Sequence, residues 1–189
     1  MYAVEPDPYC YPDSDVLINL PGLRSAAQLE AFELIATTQR ADEAFPAGRF
    51  GVSHYCRFHR HLFQDVYAWA GKFRTVRLAK GASMFCYPEH IPAEMDRLFG
   101  GLKRDGFLKG RGRADFARGL AAWLASINAI HPFREGNGRT QLSFAAMLAE
   151  KAGWPFNLDH LDHETYLAAI IASFAGDEQR LVGEVDRLL

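Results

Sequence analysis

His131-Pro132-Phe133-Arg134-Glu135-Gly136-Asn137-Gly138-Arg139 lies between two apolar segments of helical period, and its reading decides how the rest of the chain is understood. The segment before it, Ala114 to about Ile130, carries Phe116, Leu120, Trp123, Leu124, Ile127 and Ile130 at helical spacing and reads as a central, mostly buried helix. The segment after it runs from about Gly138 to Ala152 before Gly153 and Pro155 stop it. A loop that feeds a helix places unpaired backbone N–H groups, and the positive end of the helix dipole, beside its own side chains; that suits an anion such as phosphate. Gly136 and Gly138 let the backbone approach the anion closely, and Asn137 and Arg139 add side-chain donors. Glu135 is available to hold a divalent cation, and His131 to accept a proton near neutral pH. These are the parts of a phosphoryl- or nucleotidyl-transferase.

Outward from this loop the pattern is helical almost throughout. Ser25-Ala26-Ala27-Gln28 has capping-box spacing and predicts a helix with Leu29, Phe32, Leu34 and Ile35 on its apolar face. Ser53 is placed to cap a second helix, with Tyr55, Phe58, Leu62, Val66 and Trp69 inward and Gly71 as its terminator. The period then changes. Phe73 to Leu78 alternates apolar and polar, Ser83 to Tyr87 does so more loosely, and Lys80-Gly81 stands between them, which predicts a hairpin over Thr75 to Tyr87. Pro88 and Pro92 open a helix carrying Ile91, Met95, Leu98, Phe99 and Leu102. Two further helices, Asp162 to Ala175 and Asp177 to Leu188, each begin on an aspartate. The fold class is an all-α bundle with one small β-hairpin.

With 189 residues the chain is read as one domain, 1–189, whose first 24 residues form an extended lead packed on the body. Hydrophobic residues make up 49% and charged residues 23%, which excludes a disordered chain, and a net charge of -2 gives no footprint for direct nucleic-acid binding. Nothing from Met1 to Pro12 reads as a signal peptide, and no apolar run is long enough to span a bilayer. Three widely spaced cysteines, Cys10, Cys56 and Cys86, fit a reducing compartment, so the expected location is the cytoplasm. Neither His59-x-His61 nor His160-x-x-His163 has the neighbours of a metal site.

The loop also resembles the core motif of the Fic family, H-P-F-x-[DE]-G-N-G-R-x-x-R, at every position up to Arg139. Tyr67-x-Trp69-Ala70-Gly71-x-x-Arg74 is similar to a second block of that family, and the likeness extends from about Tyr9 to about Phe174. The resemblance implies a protein adenylyltransferase, which moves AMP from ATP to a hydroxyl side chain of a target protein with Mg²⁺ present. It makes His131 the catalytic base and Glu135 the metal ligand. Gly136, Asn137 and Gly138 become the cradle for the α-phosphate, and Arg139 a ligand of the β-phosphate. Pro132 stiffens the turn, Phe133 anchors it in the core, and Arg134 faces outward with no role. The hairpin becomes a flap that holds the target by strand addition, with Met84 and Phe85 as target-binding residues.

Two departures matter. Leu142 stands where the family has a second arginine, a ligand of the terminal phosphate. Three readings follow: ATP is bound less well, another arginine substitutes, or the donor lacks a γ-phosphate. The family's self-inhibitory pattern, [ST]-x-x-x-E-[GN], is also missing, because the only Glu followed by Gly or Asn is Glu135. The chain therefore resembles the stand-alone toxin class, whose inhibitor is a small separate antitoxin. A Doc-like kinase is the alternative transferase, although the Doc-type motif carries lysine at the position of Gly138. A degenerate Fic fold that binds nucleotide or a partner without catalysis is the non-enzymatic alternative.

Overall fold

Residues 7–80 and 83–189 are described by a computed structural model. Among them are seven α-helices and one two-stranded hairpin, in agreement with the all-α reading. The helices are α1 (Ala26–Ala41), α2 (Val52–Phe63), α3 (Ile91–Arg104), α4 (Arg113–Ile130), α5 (Asn137–Ala152), α6 (His163–Phe174) and α7 (Gln179–Leu188). The hairpin pairs β1 (Ala79–Lys80) with β2 (Ser83–Met84), antiparallel, with Ala79 opposite Met84.

The apolar period of α4 makes it the axis of the bundle. Phe116, Leu120, Leu124 and Ile127 are fully buried, and α4 packs against α3, α5, α6 and α7. Ile91, Met95, Phe99 and Leu102 bring α3 onto it, and Leu181 and Val185 bring α7. A second cluster joins α1, the end of α2 and the lead, through Leu17, Leu29, Leu62, Phe63, Val66 and Tyr67. The lead is tied down by backbone pairing of Cys10 with Leu17 and by the Leu20 N–H on the Val66 carbonyl at 2.8 Å. Tyr9 also meets Trp69 edge to face. The first six residues of the lead, and the expected turn at Gly81, lie outside the described residues.

Three sequence expectations are corrected. In α1 the inward face is Leu29, Glu33, Ala36 and Thr37, while Leu34 and Ile35 are 62% and 59% exposed. The helix is turned this way because the Glu33 carboxylate has charged and hydroxyl partners inside (below), and the Ser25 side chain makes no cap hydrogen bond. Helix α2 starts from Gly51 and ends at Phe63, so Val66 and Trp69 belong to the turn that follows rather than to the helix. The hairpin is also far shorter than the alternation implies. Residues 73–78 are not strand, and Arg74, one of the polar positions of that alternation, points into the protein.

Candidate active site

The motif loop leaves the C-terminus of α4 and enters the N-terminus of α5. His131 closes α4 with φ 49° and ψ 62°, its N–H on the Ile127 carbonyl at 3.0 Å. Left-handed backbone at a non-glycine residue costs about 1–3 kcal/mol and persists only where the surroundings hold it. Arg74 does the holding. Its side chain is 2% exposed, and Nε donates to the His131 carbonyl at 2.8 Å. Its other nitrogens donate to the carbonyls of Ile130, Cys86 and Val76 at 3.3, 2.6 and 2.6 Å. A buried cation thus meets the carbonyl end of α4, where the helix dipole favours one. Burial lowers its pKa from the ordinary arginine value. The His131 ring stacks on Phe85, centroids 3.9 Å apart, and Phe85 is backed by Phe174.

His59, which the sequence offered only as half of an unconvincing metal pair, forms the floor of the loop. Its Nδ1 accepts the Gly71 N–H at 2.8 Å, so the proton sits on Nε2, which donates to the Glu135 carbonyl at 2.9 Å. Burial pushes this imidazole down to about 3, and it is neutral in the folded protein. Phe133 lies on its face at 3.8 Å and is itself fully buried, as the sequence reading expected of an anchor. Gly71 is required here, because with φ 80° a Cβ would sit 2.8 Å from the Cys56 carbonyl.

Asn137 differs from expectation. Its side chain is buried and spans the loop, accepting the Phe133 N–H at 3.0 Å and donating to the Phe133 carbonyl at 2.8 Å. What it offers a ligand is therefore its backbone N–H. Arg134 is also corrected: it faces the lead and bonds Asp7 at 2.9 Å, so it fastens residues 7–24 to the loop.

Gly136 and Gly138 have different tasks. Gly136 has φ 79°, and a Cβ there would collide with Phe63 Cζ at 2.2 Å. At Gly138 a Cβ would meet nothing within 4 Å, so the first turn of α5 borders open space. The N–H groups of that turn have no acceptor within the helix. Glu135, 45% exposed, accepts the Gly136 N–H at 2.8 Å and lies 3.9 Å from the Arg139 guanidinium. Arg139 itself is bound to Glu33 and Thr37 of α1 and lies 4.7 Å over the Phe63 ring. One stretch of chain therefore supplies an imidazole, a half-exposed carboxylate, free backbone donors and a guanidinium, the set needed to move a phosphorus group.

Of the two flap residues, Met84 is 56% exposed and Phe85 is buried against His131. Leu142 is buried in the main core cluster, so the position three residues beyond Arg139 offers no side-chain donor. Glu33, Thr37 and His59 were not picked out as site residues from the sequence. The available signal was their spacing: Leu29, Glu33, Ala36 and Thr37 make one helical stripe, and His59 sits in the stripe of Tyr55, Phe58, Leu62 and Phe63.

Comparison with known proteins shows what the chain is similar to. The Fic/DOC family matches residues 49–149. The probable protein adenylyltransferase y4lH of Sinorhizobium fredii is 46% identical over 188 residues, covering 99% of this chain and 97% of its own. The probable protein adenylyltransferase Fic of Escherichia coli is 35% identical over 173 residues, 90% of this chain and 86% of its own. Among solved structures, the N-terminal Fic domain of a Bartonella quintana putative cell filamentation protein, with bound ADP, superposes with TM-score 0.89. The two are 25% identical, over 95% of this chain and 93% of that one.

Proposed function

This chain belongs to the Fic/DOC family, and we propose on that footing that it works as a protein adenylyltransferase, moving AMP from ATP to a Tyr, Thr or Ser hydroxyl of a target protein. The relatives that match nearly its whole length carry that activity in their names, and a structural neighbour holds ADP. The observation that carries the reading for this chain's own residues is the open first turn of α5, at Gly138, joined by the short motif loop to a histidine held in left-handed backbone.

His131 removes the proton from the target hydroxyl, a role worth about 10²–10⁴-fold in rate. The hydroxyl oxygen attacks the α-phosphorus, the bond to the bridging oxygen breaks, and pyrophosphate leaves. Gly136 shapes the turn, its N–H held by Glu135, and the backbone N–H groups at Asn137 and Gly138 hold the α-phosphate at the positive end of α5. Arg139 binds the β-phosphate. Among the described residues no group of three or more His, Cys, Asp or Glu side chains is placed to hold a metal ion. A single half-exposed carboxylate fits Mg²⁺, which fills its shell from phosphate oxygens and water, so Glu135 would hold it and the ion would neutralise phosphate charge. The edge of β2, with Met84 exposed and Phe85 beside the base, holds the target segment.

The protein is of the toxin type and works in a cytoplasm. A separate small antitoxin is the inhibitor this reading calls for, since within these 189 residues no Glu-Gly or Glu-Asn pair lies outside the motif. The three cysteines are free, and among the described residues no helix is long and apolar enough to cross a membrane.

ATP labelled separately at the α- and γ-phosphates, with Mg²⁺ and a bacterial lysate, tests this. Protein should take label only from the α-position, and His131→Ala should label at a rate about 10²–10⁴-fold lower. Label arriving only from the γ-position would make the chain a kinase; ATP binding without label from either would make it a binding module.

A further inference from the structure

Arg139 is held from outside the motif, and from outside the region 49–149 that the family match covers. Its Nη2 donates to a Glu33 carboxylate oxygen, and its Nη1 to Thr37 Oγ1 at 3.1 Å. The second Glu33 oxygen accepts the Tyr67 hydroxyl. Thr37 in turn donates to the Glu33 backbone carbonyl at 2.8 Å, which turns its oxygen lone pairs toward Arg139. The guanidinium rests over Phe63. Helix α1, the turn after α2 and α5 are thus joined through one carboxylate whose side chain is 12% exposed.

A guanidinium has five N–H donors, and these contacts use two. The remaining donors are available to a phosphate while the Glu33 pair stays intact. Breaking the pair to serve the phosphate would instead leave a carboxylate buried with only a tyrosine hydroxyl, which is costly. The long arginine side chain would otherwise lose rotamer freedom each time nucleotide bound. With Leu142 in place of a second arginine, that orientation bears on the one motif guanidinium left to meet the triphosphate.

We propose that Glu33 is a positioning residue for the nucleotide site: it fixes Arg139 in the orientation that receives the ATP phosphates. The inference rests on the assignment of Arg139 as a phosphate ligand in the preceding section. It predicts a loss in nucleotide affinity, not a gain, when the carboxylate is removed.

The test is ATP affinity by calorimetry, together with kcat and KM for adenylylation and a thermal melt, for Glu33→Ala, Glu33→Gln, Arg139→Ala and the double variant Glu33→Ala/Arg139→Ala. Glu33→Ala should raise the Kd and KM for ATP by about tenfold or more and change kcat much less. Glu33→Gln keeps an acceptor for Arg139 and should recover part of that loss. Once Arg139 is gone, removing Glu33 should cost no further ATP affinity and should raise the melting temperature, because it deletes a buried carboxylate left with only the Tyr67 hydroxyl and no cation. Tighter ATP binding by Glu33→Ala would overturn the proposal and make the carboxylate a competitor of the phosphate. Equal losses with and without Arg139 would overturn it in favour of a general packing role. If Arg139→Ala itself leaves ATP affinity unchanged, the assignment of Arg139 has failed, and that result is distinct from failure of the Glu33 step.

Discussion

The two helix ends that flank the motif loop are built in opposite ways. At the end of α4 a buried arginine, Arg74, donates to four carbonyls, including those of Ile130 and His131. At the start of α5 the backbone donors face open space beside Gly138, and the nearby guanidinium of Arg139 is steadied by carboxylate and hydroxyl partners on α1. One end is saturated and the other keeps donors in reserve. The saturated end fixes His131, the proposed base, and the reserve end is where the proposed reading brings the phosphate charge. On that reading the site is held by internal hydrogen bonds on the side of the proton and offers its backbone donors on the side of the phosphate.

Substitutions on the two sides should break in different ways. The largest effect is on chemistry. His131→Ala should lower the initial rate of AMP transfer by about 10²–10⁴-fold, with a melting temperature close to that of the parent. A variant that transfers AMP at the parental rate would remove His131 from the role of base. Next comes Arg74→Met, which leaves carbonyls at the α4 terminus without their charged donor. It should lower stability in urea by about 3 kcal/mol or more, with activity lost alongside the fold. A small change would mean that the α4 terminus is held by something other than this cation.

The third effect is a pH dependence. His59 is neutral in the folded protein, its pKa pushed down to about 3, whereas the unfolded chain takes up a proton below about 6.5. The unfolded state therefore binds more protons across this window, and stability falls as pH falls from about 6.5 toward 3. By pH 5 this site alone should cost about 2 kcal/mol, and His54, whose pKa burial also lowers, acts in the same direction. His59→Gln should be less stable than the parent at pH 7 and lose less on acidification to pH 5. An equal slope in the two proteins would place the acid sensitivity elsewhere.

Much of this was legible in the sequence, and the misses have physical causes. Helices α3, α4 and α5 follow their apolar period and their Pro and Gly boundaries, and the loop chemistry follows from residue type and order. Where polar side chains point inward, pattern reading fails. Glu33 and Arg74 are buried because each has partners distant in sequence, at Arg139 for one and at Cys86, Ile130 and His131 for the other. A rule that puts apolar residues inside turned α1 to the wrong face and lengthened the hairpin. Asn137 was misjudged in a related way. Its amide looked like a ligand donor, but a loop closing over a buried Phe133 needs its own backbone groups satisfied first.

Gly138→Val tests the reserve of donors at the start of α5 most directly. The added side chain meets no protein atom within 4 Å at its Cβ, and valine is a better helix residue than glycine. The melting temperature should therefore hold or rise slightly, while the close approach of phosphate to the α5 backbone is blocked. ATP affinity measured by calorimetry should fall about tenfold or more in a fully folded protein. Undiminished ATP binding in that variant would contradict the account, because the triphosphate would then lie somewhere other than the open end of α5.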